Sequence, residues 1–75
     1  MMMTRSIDIK SDEQITRIHR LACEAPYEVW LSADTVMLDA RSLLGLYALV
    51  GQRANVVTED GLDPRVVNRL VKKMS

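Results

Sequence analysis

The chain has one cysteine, one histidine, no phenylalanine and no excess of either charge, its ten basic side chains being matched by ten acidic ones. A single cysteine excludes an internal disulfide framework and any multi-cysteine zinc site built within one chain. Cys23 is therefore read as a buried structural thiol, the common state of a free cysteine. The absence of net charge leaves no overall field to draw nucleic acid or anionic lipid. No apolar run approaches the ~20 residues needed to cross a bilayer, and the opening Met1-Met2-Met3-Thr4-Arg5-Ser6 lacks the apolar core of a secretory signal. A cytoplasmic protein with no membrane insertion is expected. No Gly-rich phosphate loop, nucleophile triad or zinc spacing occurs, and the acidic cluster Glu59, Asp60 and Asp63 fits turn and cap chemistry and matches no calcium loop. Neither a metal nor a cofactor is expected. With 75 residues the chain reads as one small domain spanning residues 1–75, of a size that buries only about 60% of its unfolded surface. That leaves little room for an enclosed active site, so a protein that acts through its surface, and not an enzyme, is expected.

What is present is a regular alternation of elements. Ile7 and Ile9 alternate with Asp8 and Lys10, which predicts a strand near Ser6 to Lys10 with one buried face. Ser11 stands three residues before Gln14 and ahead of the periodic Ile15, Ile18, Leu21, Ala22 and Ala25, a capping box opening an amphipathic helix that Pro26 ends. Asp12 and Glu13 suit the positive end of its dipole. Val29, Leu31, Val36 and Leu38 surround Ser32-Ala33-Asp34-Thr35 as a hairpin. Ser42 is placed to cap a helix from Leu43 to Val50, with Gly51 to end it in left-handed geometry. Ala54 to Thr58 reads as a fourth strand, left through Glu59-Asp60-Gly61. Asp63-Pro64 then starts a last helix whose apolar face is Val66, Val67, Leu70 and Val71, with Lys72 and Lys73 at its negative end. The expected class is α+β, ordered β-α-β-β-α-β-α. A ferredoxin-like module shares the first six of these elements, so their order alone does not separate the two.

The stretch V-M-L-D-A-R-S-L-L-G-L-Y-A-L-V from Val36 to Val50, with E-V-W-L-S before it and L-V-K-K-M near the end of the sequence, resembles the histidine-containing phosphocarrier (HPr) family of the bacterial sugar phosphotransferase system. The resemblance covers roughly the C-terminal two thirds. It implies an open-faced sandwich, a four-stranded antiparallel sheet covered on one face by three helices. It also implies that Ser42 corresponds to the serine phosphorylated by an ATP-dependent kinase in Gram-positive members, and that Leu43 and Leu44 correspond to an apolar pair that docks on partner proteins. The N-terminal third departs from the family. Where the family's phosphorylated histidine caps the first helix, with arginine and proline close behind, this chain has Ser11 or Asp12 in the cap and then Glu13. Two carboxylates there would repel an incoming phosphoryl group.

The resemblance thus implies a regulatory or binding protein in place of a phosphocarrier. Its expected partners are proteins: HPr kinase, components of the phosphotransferase system or a transcriptional regulator. Ser42 is the candidate regulatory phosphorylation site, since a hydroxyl facing unsatisfied helix N–H groups would also accept a dianionic phosphate; the plainer reading is a cap contributing ~1 kcal/mol. Arg41, Leu43, Leu44 and Tyr47 are the candidate partner-binding residues. For Arg41 an ordinary solvated arginine is as good a reading, and helical spacing requires some of Leu43, Leu46, Tyr47 and Val50 to face inward. Trp30 is read as filling the core or covering the sheet. His19 is the alternative phosphoacceptor, with Arg17 and Arg20 beside it to pair with an anion, although two turns into its helix it lacks a free helix N-terminus and reads first as a structural or surface histidine. A third reading is an interaction domain that pairs through a strand edge or a helix face.

Overall fold

A computed structural model describes residues 3–75; Met1 and Met2 of the opening stretch lie outside the described residues. The elements are β1 (Met3–Asp8), α1 (Asp12–Glu24), β2 (Val29–Ala33), β3 (Val36–Asp39), α2 (Leu43–Tyr47), β4 (Arg53–Thr58) and α3 (Pro64–Met74). The sheet runs β1-β4-β2-β3, and every neighbouring pair is antiparallel. β1 and β2 are therefore parallel to each other with β4 between them, a split βαβ unit that α1 bridges. A ferredoxin-like module inserts its third strand at this place; here the fourth strand takes it, and the ambiguity in the order of elements is resolved. The three helices cover one face of the sheet, as expected of the open-faced sandwich.

That covered face holds the core. Ile7, Val29, Leu31, Ala54 and Val56 face Ile15, Ile18 and Ala22 of α1, Leu46 of α2, and Leu70 and Met74 of α3 in one buried cluster. The strand alternation follows: Val29, Leu31 and Ala33 are buried while Trp30 and Ser32 point to the open face. Trp30 is half-buried there, in register with Val57 of β4, so it covers the sheet and does not fill the core. Ser6 Oγ donates to Asn55 Oδ1 at 2.8 Å across the same open face.

Three boundaries differ from the sequence expectation. β1 begins earlier than Ser6, because β4 pairs it from Met3↔Thr58 to Asp8↔Arg53. Ile9, beyond its end, is still tied to the segment before β4, its N–H donating to Gln52 O and its carbonyl accepting from Gly51 N–H. The β2–β3 turn is only Asp34-Thr35, with Asp34 at φ 56°, a left-handed conformation that aspartate tolerates better than most residues. Lastly, α2 stops at Tyr47. From there to Gln52 the bonds are i→i−3, Ala48 N–H to Gly45 O, Leu49 to Leu46, Val50 to Tyr47 and Gln52 to Leu49, a tightened continuation that keeps the apolar spacing but not α-helical geometry.

The first helix is anchored more extensively than a capping box requires. Ser11 Oγ accepts the Gln14 N–H at 3.2 Å, but the Gln14 side chain reaches back one residue further than expected, to the Lys10 N–H at 2.8 Å. Its Nε2 donates to Asp8 O at 2.8 Å and to Met74 O at 3.0 Å. One buried amide thus holds the end of β1, the start of α1 and the end of α3 together, with both its donors and its acceptor oxygen engaged. Arg17 adds to this closure, donating to Lys73 O and Ser75 O. α3 starts as the sequence indicates, with Asp63 Oδ1 accepting the Arg65 N–H at 2.9 Å and proline in the first turn.

Candidate functional site

The surface around α2 is organised by Asp39, a residue whose part was not read from the sequence. Asp39 ends β3, and its Oδ1 accepts the Arg41 N–H at 2.9 Å while its carbonyl accepts the Ser42 N–H, which turns the chain from strand to helix. The Arg41 guanidinium folds back onto the same carboxylate at 3.1 and 2.8 Å, and reaches Glu28 Oε2 at 2.8 Å. The hydrogen bonds from the Arg41 side chain and backbone hold the Asp39 carboxyl well below the ordinary range, at about 2. The same two carboxylates push the Arg41 pKa further up. Arg41 was a candidate contact for a phosphate or an acidic partner; in the structure it is half-exposed and already held by two carboxylates. An i, i+2 spacing of Asp39 and Arg41 around a turn was the available signal, but Glu28 comes from the start of β2 and only the fold brings it near.

Ser42 stands at the helix cap through its backbone alone. Its carbonyl accepts the Leu46 N–H, whereas its hydroxyl makes no capping hydrogen bond. The expected hydroxyl cap is therefore corrected, and the backbone gives the reason. Ser11, which does cap, has φ −153° and ψ 163°, while Ser42 has φ −88° and ψ 94°, and from there its Oγ lies beside Gly45 of the first turn without a hydrogen bond to the first-turn N–H groups. Ser42 is exposed, with its hydroxyl uncommitted.

The candidate docking residues divide. Leu44 is 87% exposed and Tyr47 41% exposed. Leu43 is half-buried and packs against the core with Leu38 and Val50, so it contributes only in part to a surface patch; Leu46 is the fully inward position. Beside α2 an open groove of about 330 Å³ is lined chiefly by Ala33, Val36, Leu38, Gly45, Ala48 and Leu49. Gly45 lets this helix lie close to β3, since a Cβ there would sit 3.3 Å from both Leu38 Cδ1 and Ser42 Oγ.

At the start of α1, Ser11 is the cap and Asp12 and Glu13 are exposed in the first turn; Asp8 just before them pairs with Arg53 at 3.1 Å. His19 lies on the same helix, half-buried, with its Nε2 3.6 Å from Cys23 Sγ. Cys23 is exposed, not buried as the sequence suggested. The buried stripe of α1 is Gln14, Ile15, Ile18 and Ala22, and Cys23 follows it by one residue, about 100° further round the helix. Among the described residues no three His, Cys, Asp or Glu side chains are grouped to hold a metal ion, and no helix is long and apolar enough to cross a membrane.

Strand order and helix placement together define an HPr-like open-faced sandwich. Among solved structures, the crystal structure of HPr-C-His from Thermoanaerobacter tengcongensis is similar with a TM-score of 0.72, covering 99% of this chain and 90% of that one at 18% identity. No family model matches the chain, and no curated protein matches it in sequence. At that identity the likeness establishes the fold.

Proposed function

We propose that the protein is an HPr-like regulatory or binding module related to the phosphoenolpyruvate-dependent sugar phosphotransferase system, acting in the cytoplasm as one domain that docks on other proteins and does not carry phosphoryl groups on histidine. The observation that carries this reading is the surface of α2: an uncommitted, exposed Ser42 hydroxyl followed by an 87% exposed Leu44 and a 41% exposed Tyr47. Exposed apolar side chains grouped on one short element are the usual mark of a docking patch. A phosphate on Ser42 adds up to two negative charges at its edge and alters which partner the patch accepts.

The start of α1 supports the second half of the proposal. A transferable phosphoryl group needs donors and positive charge around it, and this helix offers a serine cap, two exposed carboxylates and no histidine in its first turn. His19 sits further along with a thiol as its neighbour.

The test is the intact mass of the purified protein after incubation with phosphoenolpyruvate and enzyme I, and separately with ATP and HPr kinase, with fragmentation to locate added phosphate. Acid-stable phosphate on Ser42 from ATP alone is the expected result. Acid-labile phosphate on His19 from phosphoenolpyruvate would replace this reading with a phosphocarrier. No phosphate from either donor would remove Ser42 control and leave a module that acts by docking alone.

A further inference from the structure

α3 carries Arg65, Arg69, Lys72 and Lys73 and no carboxylate between Pro64 and Met74, so positive charge is concentrated there in a chain without net charge. Its apolar stripe of Val67, Leu70 and Met74 is buried, which leaves the cations on the outer surface. Arg65 pairs with Asp63 at 3.2 Å, and Arg17 of the neighbouring α1 donates to the carbonyls of Lys73 and Ser75. The side chains of Arg69 and Lys73 are exposed and form no ion pair or hydrogen bond among the described residues; the charge of Asp63 reaches Arg69 only through space. These two cations flank a groove of about 160 Å³ between α1 and α3, walled otherwise by Leu21, Tyr27, Val66 and Leu70. Val66 is 39% exposed, and Leu21 and Tyr27 are half-buried. The Tyr27 hydroxyl has no hydrogen-bond partner among the described residues, and burial pushes its pKa upward, so it keeps a proton to donate.

Size and charge together select the occupant. Small-molecule sites begin near ~300 Å³, so this groove has room for one apolar side chain and not for a larger free ligand. A membrane surface does not reach a floor set between two helices, and α3 buries the apolar stripe that an interfacial helix would insert. Nucleic acid needs cations continued along a track, which the exposed Glu13 and Glu24 interrupt on α1. We propose that the α1–α3 groove docks an acidic segment of another protein, with one apolar side chain of that segment entering between Leu21, Tyr27, Val66 and Leu70 and its flanking carboxylates lying against Arg69 and Lys73. Burial of the apolar anchor supplies affinity, while the two cations speed encounter and reject basic segments. The groove shares no residue with the α2 patch and works independently of Ser42.

The full chain is applied to an array of short peptides with aspartate or glutamate at every outer position and each of the common amino acids at the centre, and the best binder is then titrated into isotope-labelled protein by NMR. Peptides with leucine, isoleucine, methionine or phenylalanine at the centre should bind best, and the serine peptide about tenfold less well. Amide shifts should gather on Leu21, Tyr27, Val66, Arg69, Leu70 and Lys73 and leave α2 unmoved. Arg69→Glu combined with Lys73→Glu should weaken binding by about tenfold, and added salt should weaken it in the parent. Circular dichroism of this variant should be unchanged, because both side chains are exposed. Val66→Asp, which places a carboxylate at the groove wall, should also abolish binding. The proposal is overturned by capture of no acidic peptide, by capture that ignores the central residue, by shifts that fall elsewhere, or by undiminished binding to the double variant. Binding of the parent chain to phosphatidylserine vesicles that is lost in the double variant would overturn it in favour of a lipid surface.

Discussion

Thr58, at 0% exposure on the covered face of the sheet, has a hydroxyl oxygen with no hydrogen-bond partner among the described residues. A buried polar group left unpaired costs about 1–3 kcal/mol, and valine has nearly the same shape and the same preference for strands. Thr58→Val should therefore raise stability by about 1 kcal/mol in urea denaturation; a loss of similar size would show that the hydroxyl is bonded after all. Gln14 is the opposite case, a buried polar side chain with every donor and acceptor engaged. The pattern of α1 placed Gln14 at a cap, and Cys23 was read as buried only from the common state of a free cysteine; the structure buries Gln14 and exposes Cys23. Periodicity locates the middle of a buried stripe well and its margins poorly, since one residue's step of about 100° decides the matter there. Ser42 and Arg41 were legible as neighbours in a turn, but their commitments depend on a backbone ψ and on Glu28, neither of which local sequence records.

Among the elements, α1 and α3 were legible because each begins with a side-chain cap and ends with a recognisable stop, Pro26 for one and a basic last turn for the other. The early start of β1 was not, because Thr4, Arg5 and Ser6 have no apolar alternation and are extended only through their partners Val57, Val56 and Asn55. α2 was read too long because its apolar spacing continues through Val50 while its hydrogen bonds have already changed register. Gly51, however, was correctly read as left-handed: its φ is +89°, and a Cβ added there would meet nothing within 4 Å. Gly51→Ala should thus cost about 1–2 kcal/mol from backbone strain alone, with no steric part. Chemical denaturation checks this, and a neutral result would mean that the turn relaxes to negative φ.

Across the whole molecule, the order β1-β4-β2-β3 gives β4 hydrogen-bonded partners on both sides and leaves the four-residue β3 on an edge, next to a one-turn α2. Native-state hydrogen exchange should show the slowest amides in β4 and β2 and the fastest among the regular elements in α2 and β3; slow exchange in α2 would contradict it. This order of stability places the proposed docking surface on the part of the fold that opens most readily. The strand order was the least legible property of the sequence, because it is set by pairings between residues up to 55 positions apart, such as Met3 with Thr58. It also has a temporal side. β2 and β3 can close on each other as a local hairpin, but β1, the first strand to be synthesised, has no other strand to bond until β4 emerges as the sixth element. On the ribosome the sheet must therefore wait for most of the chain, with β1 unpaired throughout, and the insertion of one late central strand completes it.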